Sequence, residues 1–369
     1  DGGETPPSDA GDCISTRQIC FSPPEITPLP WGITAASFGI QSNKTDNQTV
    51  IVSAYGSSEI VELQWKGQFE ETSRLKVDEA PWLTLGSDFD QDGHEDYLVS
   101  SPGSPSHAGA LSVWQGQGAG KWSRTLTQTV GRGTYMIALR REAVSEEIVA
   151  VAASFNQQVI VPLVAHKNSF PTAVSAVSLS LQPTAAEFGV AKDGKTRLYT
   201  VGSALGAGKL VVFDIGNKKL SVASETQELG AAPNDITLGD LNGDDILDAV
   251  VVDDSNHSHL YALTGDAMNN LTVVTQLSLP AYSHAGVLID IDHDGYLDSV
   301  TLSGSVPTLY VCYGDGLGGF GHCESVPHGL EQPTSIIAGD IDADGWADLI
   351  VTGFEGRLSR VRILPTSDQ

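Results

Sequence analysis

Four stretches of this chain place oxygen-bearing side chains at alternate positions, in the pattern D-x-(D/N)-x-D-(G/D)-x-x-D. They are Asp88-Phe-Asp90-Gln-Asp92-Gly93-His94-Glu-Asp96, Asp240-Leu-Asn242-Gly-Asp244-Asp245-Ile246-Leu-Asp248, Asp290-Ile-Asp292-His-Asp294-Gly295-Tyr296-Leu-Asp298 and Asp340-Ile-Asp342-Ala-Asp344-Gly345-Trp346-Ala-Asp348. Such spacing suits a hard cation, because Ca²⁺ takes six to eight oxygen ligands from a chain that can wrap it. Side chains at positions 1, 3, 5 and 9 point inward. The position-7 carbonyl, belonging to His94, Ile246, Tyr296 or Trp346, adds a fifth oxygen. Position 6 needs a sharp turn, which Gly makes without a Cβ penalty. The second loop uses Asp245 there and Asn242 at position 3, so it is expected to bind most weakly of the four. The expectation is one structural Ca²⁺ per loop.

The same D-x-D-x-D-G opening occurs in EF-hands, which also need a bidentate Glu at position 12 and flanking helices. Position 12 here is Val99, Val251, Thr301 or Val351, and each loop runs into a β-branched segment such as Asp248-Ala-Val-Val-Val. An EF-hand is excluded. One acidic loop would be an ordinary surface turn, but four in matched register, each followed by a strand, are not.

The elements that carry the loops repeat. The last three loops start 50 residues apart, and a period of that length marks a solenoid or propeller. Between Asp88 and Asp240, Glu147-Ile-Val-Ala-Val-Ala and Arg197-Leu-Tyr-Thr-Val-Gly fill the same strand slot without an acidic loop, and Thr49-Val-Ile-Val-Ser-Ala lies upstream of the first. The total is seven. In the sixth repeat, short strands are expected at 286–289, 297–302, 308–313 and 321–327, separated by Gly-, Ser- and Asp-rich turns, and no long segment carries a helical apolar period. The expected fold is all-β: a seven-bladed β-propeller of four-stranded antiparallel blades. Blades fall near residues 31–80, 81–131, 132–181, 182–231, 232–281, 282–330 and 331–369. The last lacks an outer strand, which the N-terminal segment Arg17-Gln-Ile-Cys-Phe-Ser-Pro-Pro is expected to supply, so that residues 15–30 close the ring. Residues 1–14, rich in Gly, Pro and Asp, read as a flexible linker and 15–369 as one domain.

At this point the chain resembles the FG-GAP/VCBS repeat proteins, including the propeller of integrin α subunits. The resemblance rests on Asp96-Tyr-Leu-Val-Ser-Ser-Pro102-Gly with Gly109-Ala-Leu-Ser-Val-Trp114, on Phe38-Gly39 and Phe188-Gly189, and on Tyr313-Gly-Asp-Gly-Leu-Gly-Gly-Phe320. It implies Ca²⁺ loops between the first and second strands of a blade, on one face, with ligand contacts mainly on the other. Only four of the seven loops keep their ligands, and "FG" and "GAP" never complete one repeat.

Composition bounds the partners. The formal charge of −26 argues against nucleic acid and anionic membrane surfaces. No signal peptide or membrane-spanning run is present, so no direct membrane insertion is expected. The four cysteines pair most simply as Cys13 with Cys20 at the closing strand, and Cys312 with Cys323 across a Gly-rich hairpin. Structural disulfides suit a secreted, periplasmic or surface-tethered protein. Sequons at Asn43, Asn47, Asn256 and Asn270 matter only where the source glycosylates.

No nucleophile elbow, phosphate loop or H-E-x-x-H motif is found. Trp31, Trp82, His107, Asn156, Tyr282 and His284 fall near turns on the face opposite the acidic loops, where aromatic and polar groups could hold a ligand. In the fourth repeat Arg197 takes position 9, and a tethered cation is expected to replace the ion there. The expected function is a monomeric, calcium-stabilised, integrin-like binding or adhesion propeller for a protein or glycan. The alternatives are a lectin or, on the same scaffold, a polysaccharide lyase or hydrolase.

Overall fold

The computed structural model describes residues 14–15, 19–39, 49–104, 106–118, 120–140, 147–166, 169–216, 218–227, 229–268 and 270–365. Its strands form seven antiparallel sheets, each beginning with an inner strand that packs against the inner strands of its neighbours around a ring. Among the described residues there is no helix. Blade six is representative, with strands Ser283–Ile289, Asp298–Ser303, Thr308–Gly314 and Phe320–Pro327.

Burial follows the distance from the axis. Second strands such as Asp248–Asp253 are buried at every residue, because neighbouring blades cover both faces. Outer strands such as Leu271–Ser278 alternate with period two, one face packed and one wet. The core therefore lies between blades. Val300, Leu302 and Val311 of blade six pack with Leu349, Val351 and Val361 of blade seven.

The ring closes through the N-terminal segment, as expected. Glu25–Pro28 pairs with Arg357–Arg360, and Ile19–Phe21 pairs with Ile363–Pro365, so two short strands share the outer place of blade seven. Pro23 and Pro24 lie between them, where neither could donate to a ladder. A further short strand, Ile14–Ser15, extends the sheet beyond four. In blade three the outer strand is likewise divided, into Ser169–Ala173 and Val177–Ser178.

A bulge recurs. The inner strands of blades one, four, five, six and seven slip register near their start, at Thr34, Thr184, Asn234, His284 and Thr334. A bulge re-aims a side chain, and all five of these residues line the mouth of the central channel. Thr34 Oγ1 donates to the Trp82 carbonyl of the next blade at 2.6 Å. Thr184 does the same to Pro233 at 2.6 Å, and Asn234 Nδ2 to His284 at 2.8 Å.

Candidate functional site

The four acidic loops share one backbone path, each joining the first strand of its blade to the second. Position 4 is left-handed in all of them (Gln91, Gly243, His293, Ala343; φ 60°, 74°, 59° and 60°). So is position 6, with Asp245 at φ 60° beside Gly93, Gly295 and Gly345. Local bonds hold this path. The position-1 carboxylate accepts the amides of positions 5 and 6, for example Asp290 from Asp294 at 3.1 Å and Gly295 at 3.0 Å. The position-5 carboxylate accepts the position-7 amide, as from Tyr296 to Asp294 at 2.9 Å.

Position 9 is buried in every loop: Asp96, Asp248 and Asp298 are fully enclosed and Asp348 is 2% exposed. Each accepts the amide of position 2, from Phe89, Leu241, Ile291 or Ile341. In blades two, five and six the other oxygen accepts an amide from the end of the third strand, Gly116, Gly265 or Gly314. Burial pushes the Asp96 and Asp298 carboxyls up to about 7 and raises Asp248 as well. Asp348 is pushed by burial only to about 6, because the Arg360 guanidinium acts against it.

The residues fit calcium. Three carboxylates offer oxygens within 4.8 Å of one another in blade two (Asp88, Asp90, Asp96), blade six (Asp290, Asp292, Asp294) and blade seven (Asp340, Asp342, Asp344). Oxygens sharing an ion at 2.3–2.6 Å lie up to about 5 Å apart. Asp342 Oδ1 is buried without a hydrogen-bond partner, while its Oδ2 is taken by Arg360 at 2.5 Å. In blade five the Asn242 amide instead donates to Asp244 at 3.2 Å. In blade four Arg197, 7% exposed, grips both oxygens of Asp193 at 2.9 Å and reaches Asp214 at 2.7 Å. A guanidinium thus sits in the position-9 slot.

On the opposite face the channel opens into a cavity of about 680 Å³ lined by all seven blades. Phe354, Trp82, Tyr135 and Phe155 give the lining of blades seven, two and three an aromatic character, while Asn234, Asp235, Asp254 and His284 make the blade five and six side polar. Trp82 meets Tyr135 edge-on at 4.8 Å and Tyr55 at 5.8 Å, and Trp31 meets Phe354 at 5.0 Å. Asp235 is half-buried and accepts the Gly286 amide of the next blade at 2.8 Å, and desolvation pushes the carboxyl up to about 7. Burial also raises Asp254, against the pull of nearby His284.

Of the six residues expected to contact a ligand, Trp82 and His284 line this cavity. Trp31 joins through Phe354, and Tyr282 supplies the carbonyl partner of His284 Nδ1 at 3.1 Å. Asn156 is exposed near Gly133. His107 lies apart from the cavity, bound to Ser104 and Ser106 of its own turn. Tyr135, Phe155, Asp235, Asp254 and Phe354 were not expected. Tyr135 and Phe354 carry a usable signal, since they sit at the repeat positions of Trp82 and the turn after a second strand. Cys312 and Cys323, directly opposite in register, form a disulfide. Cys20 is also disulfide-bonded, and Cys13 lies outside the described residues.

Known structures of similar shape span several activities. The chain aligns over 95% of its length with 98% of BBS1N, crystallised in complex with ARL6DN, at TM-score 0.64 and 13% identity. It aligns over 93% with 99% of a virginiamycin B lyase from Staphylococcus aureus (TM-score 0.59, 11% identity). It also aligns over 78% with 84% of a putative 6-phosphogluconolactonase from Bacteroides uniformis (TM-score 0.59, 12% identity). No curated protein sequence matches it. Residues 240–301 and 290–351, spanning the loops and second strands of blades five to seven, match the FG-GAP-like repeat. The chain is a seven-bladed β-propeller that carries FG-GAP-like repeats.

Proposed function

We propose that this propeller is an extracellular or surface binding module, stabilised by calcium in its acidic loops, that recognises a protein or glycan at the channel mouth. The observation that carries the reading is the mouth itself: about 680 Å³, aromatic on one side, with convergent polar groups on the other. Aromatic faces stack on sugar C–H surfaces or apolar side chains, and a few placed polar groups fix orientation. The Cys312–Cys323 disulfide supports an oxidising compartment. The similar folds include a propeller crystallised with a protein partner and a lyase, so fold alone does not choose between binding and catalysis.

The test is a glycan and cell-surface ligand screen in calcium buffer, followed by the same measurement on Trp82→Ala with Tyr135→Ala. The pair should weaken binding at least about tenfold, in line with losses at aromatic anchors, and leave folding cooperative. Unchanged binding would remove the mouth as the site. Polysaccharide turnover abolished by His284→Ala would establish the lyase or hydrolase reading instead.

A further inference from the structure

The blade-seven loop differs from that of blade six, although both place aspartates at positions 1, 3, 5 and 9 and Gly at position 6. Arg360 lies opposite Ile350 in the sheet, the place held in blade six by Val311 opposite Val300. A cation therefore stands at a core position, 1% exposed. Its Nη2 is 2.5 Å from Asp342 and 2.9 Å from Asp348. The same guanidinium lies 3.7 Å from Glu25 of the closing segment and 4.0 Å over the Trp65 ring of blade one. Arg362 Nη2 reaches Asp344 at 3.2 Å and Asp342 at 3.5 Å. Two guanidiniums thus touch three of the four aspartates, at the seam where the chain's two ends meet.

Clustered carboxylates repel when no cation is among them, and a fixed guanidinium relieves that repulsion as an ion would. We propose that Arg360 and Arg362 are built-in counterions that keep the seam of the ring closed when calcium is withdrawn. Blade seven is then the calcium-independent latch of a calcium-stabilised propeller. This rests on the reading of the acidic loops as calcium sites. The reverse side is weaker binding: two fixed positive charges a few ångströms away lower calcium affinity here at least about tenfold relative to blade six.

The experiment is amide hydrogen exchange with and without chelator, following peptides over 19–28 and 357–365 against peptides over 290–298. In the wild type, chelator should speed exchange at 290–298 at least tenfold while the seam keeps its protection. In Arg360→Met with Arg362→Met, the seam should lose protection in chelator and regain it in calcium. Arg362→Gln, which keeps the buried guanidinium, should show an intermediate loss. A wild-type seam that opens in chelator together with 290–298, or variants whose seam exchanges like the wild type, would overturn the proposal. If 290–298 ignores chelator, the calcium reading fails, and the double variant still decides: a weakened seam supports the counterion role and an unchanged seam refutes it.

Discussion

Replacing Asp298 with Ala separates the two jobs assigned to the position-9 aspartates. The side chain is fully buried and accepts the amides of Ile291 and Gly314, each at 2.8 Å. Truncation leaves two buried donors without an acceptor, at about 1–3 kcal/mol each. In chelator part of that cost is returned, because an enclosed carboxylate is itself unfavourable, as its raised carboxyl pKa of about 7 records. The expected loss without calcium is about 1–3 kcal/mol. With calcium at a hundred times its dissociation constant, a lost site removes a further ~2.7 kcal/mol. Urea unfolding of wild type and Asp298→Ala in calcium and in chelator gives four stabilities and one double difference. A double difference near zero would mean that blade six holds no ion. A loss below about 1 kcal/mol in both media would mean that the two amide bonds do not secure the loop.

Arg197→Met should destabilise blade four by about 1–3 kcal/mol, less than a fully enclosed pair would lose because Asp193 and Asp214 are 36% and 48% exposed, and should leave calcium content unchanged. Thermal unfolding with metal analysis checks both. Breaking the Cys312–Cys323 disulfide, which spans 11 residues, should cost about 3 kcal/mol in the loop-closure account, read from Cys312→Ser with Cys323→Ser in denaturant. Asp235, with its carboxyl raised to about 7, should make stability fall as pH rises from about 4 to 7, since the unfolded chain ionises first. Asp235→Asn should lessen that slope without abolishing it, because Asp96 and Asp298 are raised to the same range, and an unchanged slope would clear Asp235 of the effect.

What could be read from residues alone was what short-range bonding dictates. Within each acidic loop the bonds span no more than seven residues, such as Ile291 to Asp298, so the turn is written in nine consecutive letters; only the anchor to the third strand, such as Gly314 to Asp298, comes from outside them. Even Asp245 takes the left-handed turn that its place in the pattern demands. Ring closure was legible because blade seven lacked a strand and the N-terminus had one to give. The bulges at Thr34, Thr184, Asn234, His284 and Thr334 were not read from the sequence, although Pro183, Pro233 and Pro333 directly precede three of them and Pro within a sheet is tolerated at bulges. Arg360 carried no such signal. Ser-Arg-Val-Arg reads as a strand with its arginines in water, and only Asp342, Asp348, Glu25 and Trp65, brought together by the fold, make its burial tolerable.

The divided closing strand also sets how the ring would answer to force. Ile19 lies opposite Pro365, and the ladder runs back from there to Pro28 opposite Arg357. Inter-strand hydrogen bonds lie across the strands, so a pull that drew residues 19 and 365 apart would load one pair at a time, as in opening a zipper. Tension between residue 28 and residue 365 would instead shear the outer pairs together. The Glu25–Arg360 contact marks the point a travelling fork must pass before blade one is exposed. The direction of a load at the seam would therefore decide whether the ring yields gradually or resists.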